Sequence, residues 1–311
     1  MEKQNKRVVI ASSVNEDQFG YLGDAKNEVY FHPQPKVLNI FPVENDPEFL
    51  VREVLKRDLS KVEKIRFDPV NVCNLSCIFC TSDLKIKHAQ ISPDSLQSIL
   101  HRISQTCHRI SCGCGYEPLM AKNIEEYIQT IKKVVNNEFP IKPKVNMDTN
   151  GLLLGKRNLD SFLEYLDWIH ISVHSHRKEN YESILKRANF DTLVSNMKNI
   201  RKKYTELNIH IEFVVNQANK EDVEGFIEWA FEELQVDSIN IRRVTVDSFH
   251  SRSYLADSIN AGDSLGLSDE EWSTISKKIS ESWSNKLSHV PSFNSHEQQL
   301  AKSAHTPVIE L

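Results

Sequence analysis

Three cysteines, Cys73, Cys77 and Cys80, are the residues whose type and spacing point most directly to chemistry. They form a C-x3-C-x2-C pattern just after residues 64–70, an alternating, β-branched stretch that we predict to be a strand ended by proline. Thiolates on a loop at a strand end can converge on one ion or cluster. Iron–sulfur clusters are usually held by four cysteines, so a cluster held by three leaves one iron open to a substrate or cofactor.

Two other interpretations of these cysteines need to be compared with a cluster. A structural zinc site would need a fourth ligand, for which His88 and Cys107 are candidates. The sequence has six cysteines, an even number that would suit a disulfide framework. The length of the chain argues against that framework, because 311 residues can build a large core, and we see no secretory segment.

The cysteine pattern, with Phe79 as the aromatic residue before the third cysteine, resembles that of the radical SAM superfamily. Two further motifs support the resemblance. Residues 114–118 read C-G-Y-E-P and are similar to the family's G-G-E-P motif, although Tyr116 stands where the family has its second glycine. Residues 148–151, D-T-N-G, end the next predicted strand, as in many members. The resemblance extends over residues 64–245.

From residue 64 onward predicted strands alternate with predicted helices, which favours βαβ units and a parallel sheet. The resemblance implies an α/β fold, the family's partial (β/α)6 TIM-like barrel, whereas composition alone does not separate a barrel from a doubly wound sheet. In either architecture the ligand site lies at the C-terminal ends of the strands, where all three motifs fall. The predicted strands after the first are 109–112, 144–148, 168–173, 209–215 and 238–244.

Three segments are expected along the chain. Residues 63–246 form the radical SAM core, and residues 247–311 form a loop, a helix and a weakly structured tail. Residues 1–62 form an N-terminal extension that either covers one end of the core or grips a peptide or partner. Within this extension, residues 28–31 and 36–40 are expected to pair as a hairpin, because prolines separate them.

Helix starts are predicted from capping residues that precede periodic apolar side chains. A further apolar run, residues 159–166, predicts a helix without a clear cap. The predicted N-caps are Asp46, Ser92, Asn123, Asp191 and Ser268.

The resemblance implies a [4Fe–4S] cluster, held by the three cysteines, and S-adenosylmethionine (SAM) chelated at the open iron. Gly115, Tyr116 and Glu117 would bind the methionine ammonium group through backbone carbonyls and the Glu117 carboxylate. Phe79 would lie near the adenine, and the alternative for this ring is ordinary strand-end packing. A one-electron donor such as flavodoxin or ferredoxin is also implied.

Polar side chains from later strand ends are candidates for the ribose hydroxyls and the methionine carboxylate of SAM. For Arg187 a salt-linked or solvated role is equally open, and Asn150 could be a turn residue alone, since Asn-Gly is a turn signal. The candidates are Asn150, Ser172, His174, Arg187 and Asn216.

Cys114 is a candidate catalytic residue, because a thiol beside the cofactor can donate a hydrogen atom to a substrate radical. The alternative is that Cys114 is a small buried hydrophobic residue. No cysteine follows Cys114, so we expect no auxiliary clusters of the kind that many peptide-modifying members carry.

Composition excludes several classes of protein. The net charge of −5 gives no signal for nucleic acid binding. No apolar run approaches the ~20 residues of a membrane span. The run at residues 8–11 is too short for a signal peptide. We therefore expect a cytoplasmic protein with reduced thiols.

The predicted function is that of a radical SAM enzyme that abstracts a hydrogen atom from a C–H bond. A small-molecule or natural-product substrate, such as a sugar, nucleoside or amino acid, is the first hypothesis, because no auxiliary-cluster cysteines are present. Peptide modification by epimerisation or crosslinking is the second. A metal-binding scaffold without chemistry and a zinc-dependent enzyme are the remaining alternatives.

Overall fold

The computed structural model describes residues 36–43, 45–80, 87–113, 115–244 and 265–283, together with the backbone of four outlying short strands. The seven helices described are α1 (Phe49–Leu55), α2 (Pro93–Ile103), α3 (Ile124–Glu138), α4 (Lys178–Ile184), α5 (Phe190–Lys203), α6 (Val223–Glu232) and α7 (Asp269–Trp283). The strands described are β1 (Arg7–Ala11), β2 (Tyr21–Gly23), β3 (Val29–Phe31), β4 (Val37–Ile40), β5 (Lys64–Phe67), β6 (Ser76–Cys77), β7 (Arg109–Cys112), β8 (Lys144–Thr149), β9 (Trp168–Ser172), β10 (Leu185–Lys186), β11 (Asn208–Val215), β12 (Ser238–Arg243) and β13 (Ile309–Glu310).

The described residues fall into two compact units. The N-terminal unit comprises those within Glu16–Ser76 and Thr81–His170. The C-terminal unit comprises those within Met1–Asn15, Cys77–Cys80 and Ile171–Leu311. Strand β9 therefore begins in the N-terminal unit and ends in the C-terminal unit.

The N-terminal unit is built on four parallel strands, in the order β4, β5, β7 and β8. Helices α2 and α3 are amphipathic and turn their apolar sides inward, as Leu96, Ile99 and Ile128 illustrate, each with no exposed surface. Parallel strands joined by helices end at one edge of the sheet. The loops that follow β5, β7 and β8, which carry the three sequence motifs, leave from that edge.

The C-terminal unit contains strands β1, β12 and β11 in parallel, with β13 antiparallel to β1. Helix α6 covers this sheet with a strongly apolar side on which Phe226 and Ile227 are fully buried. Together the two units confirm the predicted α/β class. The predicted boundaries at residues 62 and 246 stay predictions.

Most predicted strands are confirmed to within two residues, and β7 matches its prediction at both ends. The first predicted strand, 64–70, is shorter and ends at Phe67. The predicted hairpin of residues 28–31 with 36–40 is wrong. Strand β3 pairs with β2 in antiparallel fashion, whereas β4 pairs in parallel with β5. The backbone hydrogen bonds of β4 are therefore made with a strand that is distant in sequence, and not with β3.

Helix caps were predicted less well than strands. Ser92 and Ser268 do cap their helices, accepting hydrogen bonds from Ser95 N (3.1 Å) and Glu271 N (3.1 Å). The predicted cap at Asp46 is wrong, because that carboxylate pairs with Arg52 instead.

Two further caps differ from the prediction. Asn189 rather than Asp191 caps α5, accepting from Thr192 N at 2.8 Å, while Asp191 pairs with Lys178. Helix α3 follows Asn123 as predicted, but the Asn123 side chain makes no cap hydrogen bond to the backbone.

The predicted helix over 159–166 is wrong. The segment forms two short 3-10 turns, Leu159–Ser161 and Leu163–Tyr165, that close through hydrogen bonds between residues three apart, such as Phe162 N to Leu159 O (3.2 Å). Helix α4 was not predicted.

The predicted loop over 247–266 lies outside the described residues except for its last two positions. The predicted weakly structured tail, 290–311, also lies outside them apart from β13. Within the part of the chain that is described, no helix is long and apolar enough to cross a membrane.

Candidate functional site

The cysteine loop begins at Asn71, which is fully buried. Its side-chain amide accepts a hydrogen bond from Ala89 N (2.7 Å) and donates one to Lys87 O (3.1 Å). Because both polar atoms of the amide are paired, the loop leaves β5 in one fixed direction.

Cys73 is half-buried and is approached by hydrogen-bond donors. Its Sγ accepts from Leu75 N at 3.4 Å and from Asn150 Nδ2 at 3.8 Å. The same Asn150 amide donates to Asn74 Oδ1 at 2.8 Å. Donors directed at a sulfur favour the thiolate, which is the form that binds a metal.

Cys77 and Cys80 lie on a tight turn, in which Cys80 N donates to Cys77 O at 3.1 Å. Between them, Ile78 N donates to Ile184 O at the end of α4 (3.0 Å), which ties this turn to the helix. Both thiols are half-buried, and neither is in a disulfide.

The alternatives to a cluster lose support from the described cysteines. Cys107 is buried, donates to Arg109 O at 3.2 Å, and has a pKa raised to about 11 by burial, so it is poorly suited to ligate zinc. His88 is exposed. No three His, Cys, Asp or Glu side chains within the described ranges are already arranged around one ion position. None of the five cysteines described forms a disulfide: Cys73, Cys77, Cys80, Cys107 and Cys112.

Glu117 is a buried carboxylate, 2% exposed, on the loop after β7. Its Oε1 accepts from Leu119 N (3.1 Å) and Thr149 Oγ1 (2.7 Å), and its Oε2 accepts from Asn150 N (2.8 Å). Burial raises the pKa of Glu117 to about 7, against the lowering effect of these hydrogen bonds. A carboxylate has about four lone-pair sites, so one remains for a further donor.

Asp68, at the end of β5, holds the loop that carries Glu117. Its Oδ1 accepts from both Gly115 N and Tyr116 N at 3.3 Å, and Asp68 is 1% exposed. Glu117 N in turn donates to Val72 O at 3.1 Å. These hydrogen bonds join the loop after β7 to the start of the cysteine loop.

Gly113 is required where β7 turns into this loop. Its φ is +88°, and a Cβ atom there would lie 2.3 Å from Asp148 O. Only glycine avoids both the left-handed strain and the collision. Cys114, the predicted hydrogen-atom donor, lies outside the described residues, so its role stays a prediction.

Phe79 and His174 form an edge-to-face pair with ring centroids 4.9 Å apart. Phe79 also packs against Val214 and Val244. His174 is 3% exposed, and its Nδ1 accepts from Val214 N at 3.0 Å, which places the remaining proton on Nε2. Burial, together with the charge of Arg242, lowers the pKa of His174 to about 3, so the imidazole is neutral.

Asn216 is fully buried at the end of β11. Its Oδ1 accepts from Ala218 N (2.9 Å) and its Nδ2 donates to Val214 O (3.3 Å). Asn219 supports the same turn by accepting from Asn216 N (2.8 Å) and donating to His174 O (2.9 Å). The Asn216 amide is therefore occupied locally, which suits a residue that shapes the strand end.

Ser172 and Arg187 remain candidates with less structural context. Ser172 is half-buried at the end of β9. Arg187 is exposed, has a φ of +71°, and makes no ion pair with any residue the structure describes. A left-handed backbone is uncommon for arginine and is often found at functional positions.

Several residues of the site were not anticipated from the sequence. Asp68, Thr149 and Asn219 are buried polar residues with hydrogen bonds to the candidates. Asn71 is a buried polar residue that fixes the start of the cysteine loop through Lys87 O and Ala89 N. Asp68 could have been identified from the sequence, because an acidic residue near the C-terminal end of a predicted strand lies at the expected ligand edge.

Comparison with known proteins places these motifs in a family. A sequence profile of the radical SAM superfamily matches residues 68–230, just over half of the chain. Among curated proteins, a probable GTP 3′,8-cyclase of Saccharolobus islandicus is 26% identical over 168 residues, which cover 54% of this chain and 52% of the relative. A probable GTP 3′,8-cyclase of Methanosarcina mazei is 29% identical over 152 residues, or 47% of this chain and 42% of the relative. The chain thus spans about half the length of the curated relatives it matches.

Among solved structures, Streptococcus suis SuiB bound to the precursor peptide SuiA superposes with a TM-score of 0.56 and 12% identity, covering 77% of this chain and 50% of SuiB. This similarity shows the fold alone. The profile match includes all three motifs. The chain therefore belongs to the radical SAM superfamily, whose members are enzymes that use a [4Fe–4S] cluster and S-adenosylmethionine.

Proposed function

We propose that this protein cleaves SAM reductively and abstracts a hydrogen atom from a C–H bond of a small-molecule substrate. One observation carries the proposal. The three cysteines of the C-x3-C-x2-C motif form no disulfide and are half-buried, while the other two described cysteines, Cys107 and Cys112, are buried. Among the described cysteines, those of this motif are the partly accessible ones, and accessible thiols are the donors that an iron–sulfur cluster needs.

The three cysteines of the motif have the ligand type that a [4Fe–4S] cluster requires, because iron–sulfur clusters are held by cysteine thiolates. Cys73, Cys77 and Cys80 would each supply one thiolate, and no fourth cysteine lies in the motif. When bound, the cluster supplies the electron that splits SAM into methionine and a 5′-deoxyadenosyl radical, which takes a hydrogen atom from the substrate. Asn150, which donates to Cys73, would stabilise that ligand in its ionised form.

Glu117 would bind the methionine ammonium with its one remaining lone-pair site. The other three sites are used by Leu119, Thr149 and Asn150, so the carboxylate cannot rotate freely. A cation beside Glu117 would keep it ionised at neutral pH. The backbone carbonyls of Gly115 and Tyr116 would complete the ammonium site.

Phe79 would pack against the adenine of SAM, since its ring is half-buried and braced by His174. A neutral His174 adds no positive charge to the site. Ser172, Asn216 and Arg187 are proposed for the ribose hydroxyls and the methionine carboxylate, and Arg187 is suited to the carboxylate because a guanidinium can bind it in bidentate fashion.

The proposal of a small-molecule substrate, such as a nucleoside or nucleotide, draws support from the curated relatives. Their names specify GTP as substrate, although the chain spans only about half their length. A peptide substrate is the competing hypothesis. Flavodoxin or ferredoxin is the proposed electron donor.

Deuterium transfer would test the substrate class. The anaerobically reconstituted protein is incubated with dithionite, SAM and either deuterated nucleotides and nucleosides or deuterated peptides, and 5′-deoxyadenosine is analysed by mass. We expect a nucleotide or nucleoside to accelerate its formation and to transfer one deuterium. Transfer from peptides alone would refute the small-molecule proposal, and reactions without dithionite serve as the control.

A further inference from the structure

Tyr181, on α4, carries a polar group that the described structure leaves unpaired. The side chain has no exposed surface, yet its hydroxyl has no hydrogen-bond partner within the described ranges. The ring packs edge-on against Phe190, with centroids 5.3 Å apart, which restricts its orientation. A buried hydroxyl without a partner is costly, and phenylalanine would fill the same space without that cost.

The position of this hydroxyl connects it with the cysteine turn. Ile184, one helical turn after Tyr181, accepts the hydrogen bond from Ile78 N, and Ile78 directly follows Cys77. Burial raises the pKa of Tyr181 above its usual range, and a thiolate at Cys77 raises it further. The hydrogen bond from Ile78 N to Ile184 O thus fixes the residue after Cys77 against the helical turn that begins at Tyr181.

We propose that the Tyr181 hydroxyl donates a hydrogen bond to the Cys77 sulfur, or to the cluster sulfide beside it, once the [4Fe–4S] cluster is bound. This inference rests on the proposed function, since it requires the cluster. Tyr181 then acts as a positioning residue that stabilises the more negative, reduced cluster, because hydrogen bonds to cluster sulfurs set the reduction potential. This acceptor, the Cys77 sulfur or a cluster sulfide, accounts for a buried hydroxyl that has no partner among the described residues.

Two variants separate this role from simple packing. Tyr181→Phe removes only the unpaired hydroxyl. Tyr127→Phe is the matched control, because Tyr127 is also fully buried but donates to Ile91 O. In the apoprotein we expect Tyr181→Phe to have an unfolding midpoint equal to or above that of the wild type. Tyr127→Phe should unfold at a lower midpoint, since it leaves a buried carbonyl without its donor.

The deciding measurement is the cluster's midpoint potential, obtained by EPR-monitored titration without SAM. We expect Tyr181→Phe to shift the reduction equilibrium about tenfold toward the oxidised form, because charge-assisted hydrogen bonds are the strong ones. For a one-electron couple that shift is about 59 mV toward more negative potential. The potential of Tyr127→Phe should equal that of the wild type.

A second measurement covers the case in which Tyr181→Phe assembles no cluster. Replacing Tyr181 by 3,5-difluorotyrosine makes the phenol a stronger donor, so the potential should shift in the positive direction. If either variant assembles a cluster like that of the wild type and its midpoint potential is unchanged, the proposed role of Tyr181 is wrong, whereas the proposed function of the protein still stands. A wild-type protein that assembles no cluster overturns the proposed function as well.

Discussion

The carboxylate of Glu117 accepts a hydrogen bond from the backbone N–H of Asn150 at 2.8 Å. This bond joins the loop after β7 to the loop after β8. The side chain of the same Asn150 donates to Cys73 Sγ at 3.8 Å. A single hydrogen-bonded chain therefore runs from the proposed ammonium-binding carboxylate to a proposed cluster ligand.

Replacing Asn150 by alanine should disturb the cysteine loop. The variant loses the hydrogen bonds to Cys73, Asn74 and Leu152 N, and we expect a loss of roughly 1–3 kcal/mol in the free energy of unfolding. The reconstituted cluster should also be lost faster to a chelator. Asn158→Ala is the control, because Asn158 is exposed and its side chain makes no cap hydrogen bond. Equal rates of cluster loss in the two variants would contradict a role for Asn150.

Glu117 should make the apoprotein less stable as pH rises. Its pKa is raised from 4.5 to about 7, so the folded state retains a proton that the unfolded state has released. The stability associated with that proton is fully present below pH 4.5 and is lost as pH rises through 7, by roughly 3 kcal/mol. Glu117→Gln cannot titrate, so its unfolding free energy should lack this decrease. Urea unfolding at a series of pH values measures this decrease in the unfolding free energy. Parallel plots of unfolding free energy against pH for the wild type and Glu117→Gln would contradict a buried Glu117 that retains its proton.

His174 should act in the opposite direction. Its pKa is lowered from 6.5 to about 3, so its contribution to stability is present above pH 6.5 and is lost as pH falls toward 3. His174→Asn offers Oδ1 in place of Nδ1 to Val214 N but has no titrating ring. We expect the variant to be less stable at neutral pH, because it loses the contact with Phe79, and to lose less stability on acidification.

The two effects overlap between pH 4.5 and 6.5, so the His174→Asn comparison is best made in the Glu117→Gln background. The two proteins compared are Glu117→Gln and the double variant Glu117→Gln/His174→Asn. If both lose the same unfolding free energy between pH 6.5 and 4, the prediction that His174 is buried and neutral is wrong.

Alkylation should distinguish two classes of cysteine. In the reduced apoprotein, Cys73, Cys77 and Cys80 should react quickly with iodoacetamide because they are half-buried, whereas Cys107 and Cys112 are buried and should react slowly. Peptide mapping by mass spectrometry gives each rate. Bound cluster should protect the first three. Rapid labelling of Cys107 or Cys112 would contradict their burial.

The strands were largely predictable because they are local patterns. Residues 109–112 alternate between polar and apolar side chains and include the β-branched Ile110, and β7 has those bounds. The partner of a strand is not a local property. Val37–Ile40 was correctly predicted to be extended, but it pairs with Lys64–Phe67 across an intervening helix, and no pattern in either segment specifies that choice.

The candidate site was predictable as far as its motifs extend. The sequence identified Glu117 and Asn150 separately, but their hydrogen bond depends on β7 and β8 being neighbours. Asp68 was taken as the end of a strand, and its role follows from the same kind of adjacency, since it accepts from Gly115 N and Tyr116 N. Helix α4 was missed because it has only seven residues, of which two are buried.

The most direct test of the account is formation of 5′-deoxyadenosine by anaerobically reconstituted protein supplied with dithionite and SAM. The wild type is compared with Cys77→Ala and with Cys107→Ala, which removes a buried thiol outside the motif. We predict that the wild type and Cys107→Ala form 5′-deoxyadenosine and that Cys77→Ala falls to the background of a reaction without protein. Undiminished formation by Cys77→Ala, or none by a wild type that holds its cluster, would contradict the account.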